Sequence, residues 1–161
     1  MTELERLKDI IHVLRSENGC PWDRAQTHET LKAGCMEEAA EVIAAINILE
    51  ETGDAENLME ELGDLLFHVL FHCVIAEEKG FFTFDDVAGN ISDKMIRRHP
   101  HVFSGKHYAS RSEQLEAWES IKKQEKQGKE WRAAYLSDAF DEAEALIQKA
   151  RDRKGLPNKP K

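Results

Sequence analysis

The chain has 161 residues, 41% of them hydrophobic and 33% charged, with a formal net charge of −9 at pH 7. This is enough for one domain with a core of its own. The acidic balance argues against stable nucleic-acid binding, which needs clustered Lys and Arg, but not against a small phosphorylated substrate, because a divalent cation can supply positive charge locally.

The opening Met1-Thr2-Glu3-Leu4-Glu5-Arg6 is charged and unlike a signal peptide. Leu4, Leu7, Ile11 and Leu14 recur at helical spacing and predict a helix over 3–15. Asn18-Gly19-Cys20-Pro21 breaks it. Residues 28–50 read as a long helix with Thr27 as N-cap. Glu51-Thr52-Gly53-Asp54 is a turn, and Asp54 caps a further helix over about 55–79, closed by Gly80. Its apolar run at 65–76 is interrupted by His68 and His72 and is too short to span a bilayer. Thr83 and Asp86 mark a fourth helix, and His99-Pro100 ends it at Arg98, because the residue before proline avoids the helical region. Residues 100–109 read as a loop. Ser110 and Glu113 form a capping box for a fifth helix to about Lys126, and 135–151 reads as a sixth. The basic tail from Arg151 to Lys161, with two prolines, reads as loose. No β-alternation and no Gly-rich phosphate loop stands out in the sequence. The expected fold is all-α, a bundle of four to five main helices. Residues 1–130 are expected to form one domain, and 131–161 a C-terminal helix and basic tail without an assigned role. Cys20, Cys35 and Cys73 lie far apart and lack metal-type spacing, as expected of free thiols in a cytoplasmic protein.

The chemistry concentrates in Glu37-Glu38-Ala39-Ala40-Glu41 and Glu60-Glu61-Leu62-Gly63-Asp64. Helical positions three and four apart share a face, so Glu37, Glu38 and Glu41 form one stripe and Glu60, Glu61 and Asp64 another. If the two helices fold back at Gly53, Glu41 lies roughly 18 Å and Asp64 roughly 16 Å from the turn, which makes them nearly level. Apolar neighbours flank both stripes, and acids in such surroundings are costly unless paired or bound to a cation. No Lys or Arg occurs between Ala33 and Glu78 to act as partner. A hard divalent cation resolves the repulsion, and oxygen-only donors select Mg²⁺ or Mn²⁺ over zinc. The plain alternative is a solvated acidic helix face; the duplicated pattern, the level placement and the missing basic partners weigh against it. Gly63 fits a close approach of helix backbones, or is a tolerated helix glycine.

These residues resemble the signature of MazG-type all-α nucleotide pyrophosphohydrolases. Glu37-Glu38-x-x-Glu41 and Glu61-x-x-Asp64 match it, with nineteen residues between Glu41 and Glu61. Cys20-Pro21-Trp22-Asp23 with Gln26-Thr27, Glu60 to Phe67, Ser92 to Phe103, and Trp118-Glu119-x-Ile121-Lys122 resemble further motifs of the family in the same order. The resemblance covers about residues 4–125. It implies hydrolysis of a nucleoside triphosphate to the monophosphate and pyrophosphate. It further implies Glu38, Glu41, Glu61 and Asp64 as ligands of Mg²⁺ (or Mn²⁺), with Glu37 a further ligand or the group that orients the attacking water. A nucleotide-binding regulatory relative with weak catalysis is the alternative, and retention of every motif acid disfavours it.

Lys94, Arg97 and Arg98 form a basic cluster on the fourth predicted helix and suit phosphate contacts; their plainer role is to satisfy the helix dipole. Trp118, and less so Trp22, suit stacking on a base, although tryptophans more often pack in cores or interfaces. Lys32, upstream of the acids, is a further candidate for phosphate. His68 and His72 have i, i+4 spacing, but histidines packed between helices explain them better than a zinc pair does; His68 continues the Asp64 stripe and suits orienting a ligand. The long apolar faces exceed what one bundle of this size can bury, so a homodimer or higher oligomer is expected, as the resemblance also implies.

Overall fold

The computed structural model describes residues 1–157. Among them there are helices and turns and no strand: α1 Glu3–Arg15, α2 Pro21–Arg24, α3 Lys32–Thr52, α4 Glu56–Glu78, α5 Phe84–Arg98, α6 Pro100–Phe103, α7 Arg111–Lys126 and α8 Ala133–Arg153, with a 3-10 turn at Glu130–Arg132. The all-α expectation holds. Two compact units are present, Met1–Thr83 together with the stretch from Phe140 onward, and Phe84–Ala139.

In the first unit α3 and α4 pack as a hairpin, with α1 on α4 and α2 on α1. Residues 70–76 of α4 are apolar but for His72, and Leu70, Phe71, Cys73, Val74, Ile75 and Ala76 are all buried; a stretch of that composition is stable only when surrounded. Ile11 of α1, Leu31 and Ala45 complete the buried core. Arg15, its side chain 7% exposed, closes this corner. It grips both oxygens of Glu78 at 2.7 Å, donates to the carbonyls of Asp23 and Gln26, and lies over the Phe71 ring.

Local chemistry explains most boundaries. Thr2 and Glu5 form a capping box on α1. Gly53, at φ 75, ends α3, and Asp54 Oδ1 accepts from Glu56 N at 2.9 Å to open α4. Ser110 Oγ accepts from Glu113 N, but the Glu113 carboxylate accepts its return bond from Ala109 N rather than from Ser110 N.

The structure departs from the sequence reading at four places. α3 starts four residues late: Thr27 Oγ1 accepts from Thr30 N and Thr30 Oγ1 from Thr27 N, so Thr27 caps a separate turn over 28–31. Short helices α2 and α6 stand where a break and a loop were expected, each begun by a proline whose fixed φ suits a first helical residue. Gly63 has nothing within 4 Å of where a Cβ would sit, so it provides no close backbone approach in this unit. The tail is not loose from Arg151. α8 runs to Arg153 and ends in a Schellman motif, with Leu156 N bonded to Arg151 O, Gly155 N to Asp152 O, and Gly155 at φ 65. Residues 158–161 of that tail lie outside the described residues.

In the second unit α5 packs on α6 and α7. No side chain of α5, α6 or α7 is fully buried. Arg97 and Arg98 converge on Glu125, each taking one carboxylate oxygen, with shortest distances of 2.6 Å. His99 stands edge-on to Trp118 with ring centroids 5.2 Å apart.

Candidate metal centre

The α3–α4 hairpin sets the site. A Cβ on Gly34 would lie 2.3 Å from Cε1 of His68, so glycine there is what lets the ring press against α3 and fix the register. One turn from that contact along both antiparallel helices stand Glu38 and Asp64. Glu38, Glu61 and Asp64 each offer one oxygen, all within 4.8 Å of one another. The level partner of Asp64 is therefore Glu38 rather than Glu41; counting from Gly53 as a symmetric pivot misses the stagger that the Gly34–His68 contact imposes.

Desolvation pushes the Glu38 carboxyl above the usual carboxylate range, and repulsion from Glu41, Asp64, Glu61 and Glu37 pushes it further the same way. An oxygen-only donor set on two rigid helices, crowded enough to disfavour its own ionisation, fits a hard divalent cation. Asn57 Nδ2 donates to Glu61 Oε1 at 3.0 Å and steadies that carboxylate. Burial holds His68 below the usual histidine range despite the nearby Asp64, which acts the other way.

Glu37 and Glu41 have different partners. Arg153 and Lys154, at the end of α8, both pair with Glu37, Lys154 at 2.9 Å, and Lys154 also pairs with Glu41. The hydrogen bond from Arg153 is the main reason that the Glu37 carboxyl lies below its ordinary range. The sequence reading assigned these two basic residues nothing. Their signal, two cations next to a helix-ending glycine, is too common to single out without the fold.

The remaining candidates are dispersed. Lys32 is engaged by Glu29 and Glu142, both at 2.9 Å. Trp22 is 69% exposed on α2. In the second unit Lys94 is half-buried on α5, one turn before Arg98, while Arg97 and Arg98 share the single carboxylate of Glu125, which leaves one positive charge in excess there. Trp118 is half-buried, in a T-shaped contact with His99.

The chain matches the MazG nucleotide pyrophosphohydrolase domain over residues 26–103. It is 42% identical over 159 residues to the nucleoside triphosphate pyrophosphohydrolase of Escherichia coli strain K12, covering 98% of this chain and 59% of that protein. It is 48% identical over 122 residues to the nucleoside triphosphate pyrophosphohydrolase/pyrophosphatase MazG of Thermotoga maritima, covering 76% of this chain and 45% of that protein. The chain thus spans about half the length of these relatives. The crystal structure of a mazG-related protein from Thermotoga maritima superposes with a TM-score of 0.58 at 30% identity, covering 74% of this chain and 98% of that one. With the all-helical fold, the three converging acids of α3 and α4 and this coverage, the chain belongs to the MazG-like family.

Proposed function

We propose that the chain is a nucleoside triphosphate pyrophosphohydrolase that cleaves its substrate to the monophosphate and pyrophosphate with Mg²⁺. The observation that carries this reading is the convergence of Glu38, Glu61 and Asp64 within 4.8 Å on two packed helices of a MazG-like domain. Bound there, a divalent cation supplies charge neutralisation for the phosphates and makes a coordinated water more acidic. Glu38, Glu61 and Asp64 hold it, with Glu41 as a further ligand. Glu37, next in sequence to Glu38, orients the attacking water. The water oxygen bonds to one of the two phosphorus atoms, α or β, and the bridging P–O bond to that atom breaks. Monophosphate and pyrophosphate part, and the water's proton is released to solvent or product oxygen; little is asked of the protein beyond positioning and electrostatics.

Lys94, Arg97 and Arg98 are proposed to meet substrate phosphate and Trp118 the base, as the charge excess on α5 and the ring on α7 permit. The second unit buries no side chain of α5, α6 or α7 fully, and α3 and α4 expose Ile43, Ile46, Met59 and Leu62. Apolar surface on that scale supports a homodimer or a higher oligomer. No helix among the described residues is long and apolar enough to cross a membrane. A cytoplasmic role in clearing surplus or damaged nucleotides suits these features.

The test is a panel of ribo- and deoxyribonucleoside triphosphates incubated with Mg²⁺ and resolved by anion exchange. Equal amounts of monophosphate and pyrophosphate, lost on chelation and restored by Mg²⁺, are expected. Orthophosphate with a diphosphate, or no turnover of any triphosphate, contradicts the proposal.

A further inference from the structure

We infer that Arg153 and Lys154, at the end of α8, are substrate-binding residues that grip the phosphate chain of the nucleotide through the donors that their bonds to Glu37 and Glu41 leave free. The inference rests on the metal-centre reading above. It begins from a charge imbalance. From Ala33 to Glu78 the hairpin has no Lys or Arg, yet it must receive a polyphosphate beside five acids, Glu37, Glu38, Glu41, Glu61 and Asp64. Divalent metal offsets only part of that charge, and an anion entering such a site needs fixed cations as well. Within the first unit, Lys32 is engaged by Glu29 and Glu142, and Arg151 donates to the Pro157 carbonyl. Arg153 and Lys154 are the basic side chains seated on the acids themselves.

Their geometry favours more than charge compensation. The Arg153 and Lys154 side chains are 64% and 41% exposed, whereas the Glu37 they share is only 14% exposed. The acid is covered while the cations keep open faces. Guanidinium and ammonium carry more donors than these bonds use. The backbone beneath them is set by the Schellman motif at Gly155, so both side chains leave a capped helix end rather than a drifting tail. Mg²⁺ binds oxygen at about 2.1 Å, so phosphate oxygens sharing a metal with a carboxylate lie within about 4 Å of it. Lys154, paired with the proposed ligand Glu41, is then within reach of the phosphate without moving its helix, and Arg153 stands beside it on Glu37. A chain of phosphates offers the two cations separate phosphoryl groups, whereas a single phosphate must serve both cations and the metal with its own oxygens.

The test uses titration calorimetry with inorganic triphosphate as the probe in the presence of Mn²⁺, and separately with Mn²⁺ alone, on wild type, Arg153→Gln, Lys154→Gln and the conservative Lys154→Arg. Each glutamine variant is expected to weaken triphosphate binding about tenfold, the loss of one charge-assisted hydrogen bond. Binding of Mn²⁺ alone should stay the same or tighten, orthophosphate binding should change less, and Lys154→Arg should recover most of the affinity. Because these side chains are exposed at a helix end, the fold should survive, which circular dichroism checks. Triphosphate binding equal to wild type in both glutamine variants overturns the inference; with tighter Mn²⁺ binding, it leaves the two cations as counter-ions that the metal displaces. That outcome leaves wild-type turnover of nucleoside triphosphates intact. If wild type neither turns over a triphosphate nor binds the probe with Mn²⁺, the metal-centre reading fails, and this inference with it.

Discussion

Arg15 holds three segments together through one guanidinium: the Glu78 carboxylate, the two carbonyls of the 23–26 turn, and the face of Phe71. Arg15→Met should destabilise the protein by roughly 2 kcal/mol, below the cost for a fully buried pair because the Glu78 side chain is 40% exposed and screened. Arg15→Lys should restore little of this, because one ammonium cannot reach a carboxylate and two carbonyls in a fixed fork; chemical denaturation measures both. His72 and His28 stack with Nδ1 atoms 2.8 Å apart, so only one of the two can carry a proton there. Burial, then the proximity of His28 and His68, keeps His72 below the ordinary histidine range, and burial does the same for His68. A folded value depressed below the unfolded one of about 6.5 means that the folded state binds fewer protons. The stability contributed by the neutral rings is then fully present above about pH 6.5 and is lost as the pH falls below it toward the depressed folded values. Melting temperature should drop over that window in wild type and drop less in His72→Gln; identical slopes contradict the assignment. Glu38 acts with the opposite sign, but it is present in both proteins and cancels from the difference. At this scale the sequence displayed the acids, because their pattern is local and repeated. It hid Arg15, Arg153 and Lys154, because nothing local distinguishes a basic residue that packs from one that is solvated.

The helices were legible wherever their signals are local. The bounds of α1, α4, α5 and α7 follow from caps, a turn glycine and His99-Pro100. The single-turn helices α2 and α6 were not, because four residues show no periodicity, and the stagger of α3 against α4 was not, because it depends on which side chain enters which gap. Two glycines make that stagger testable. Gly34→Ala would drive a methyl into the His68 ring, so despite the better helix propensity of alanine it should cost roughly 1–3 kcal/mol. It should also weaken metal binding by displacing Glu38 from Asp64. Gly63→Ala meets open space, so it should raise stability by about 0.5–1 kcal/mol. A loss at Gly63 instead would place a partner's backbone against it. Thermal unfolding of both variants, with and without Mg²⁺, decides.

For the whole molecule, a single copy leaves Ile43 62%, Met59 72% and Leu62 49% exposed on the two helices that carry the acids. Sedimentation equilibrium should return at least twice the 18.4 kDa chain mass, and Met59→Lys should shift the distribution toward one copy; a single-copy mass in the wild type removes the proposed dimer. The all-α class was readable in the sequence because helical periodicity recurs along the chain, whereas the partition into two units was not, because it depends on packing between distant segments. The most direct test of the metal centre is calorimetric titration of Mn²⁺ into wild type, Glu38→Gln, Glu61→Gln and Asp64→Asn. Saturable binding in wild type, weakened tenfold or so by each substitution with helical content unchanged, is the expected result. Unchanged affinity in all three variants, or no saturable binding in wild type, contradicts it and leaves these acids as a solvated helix face.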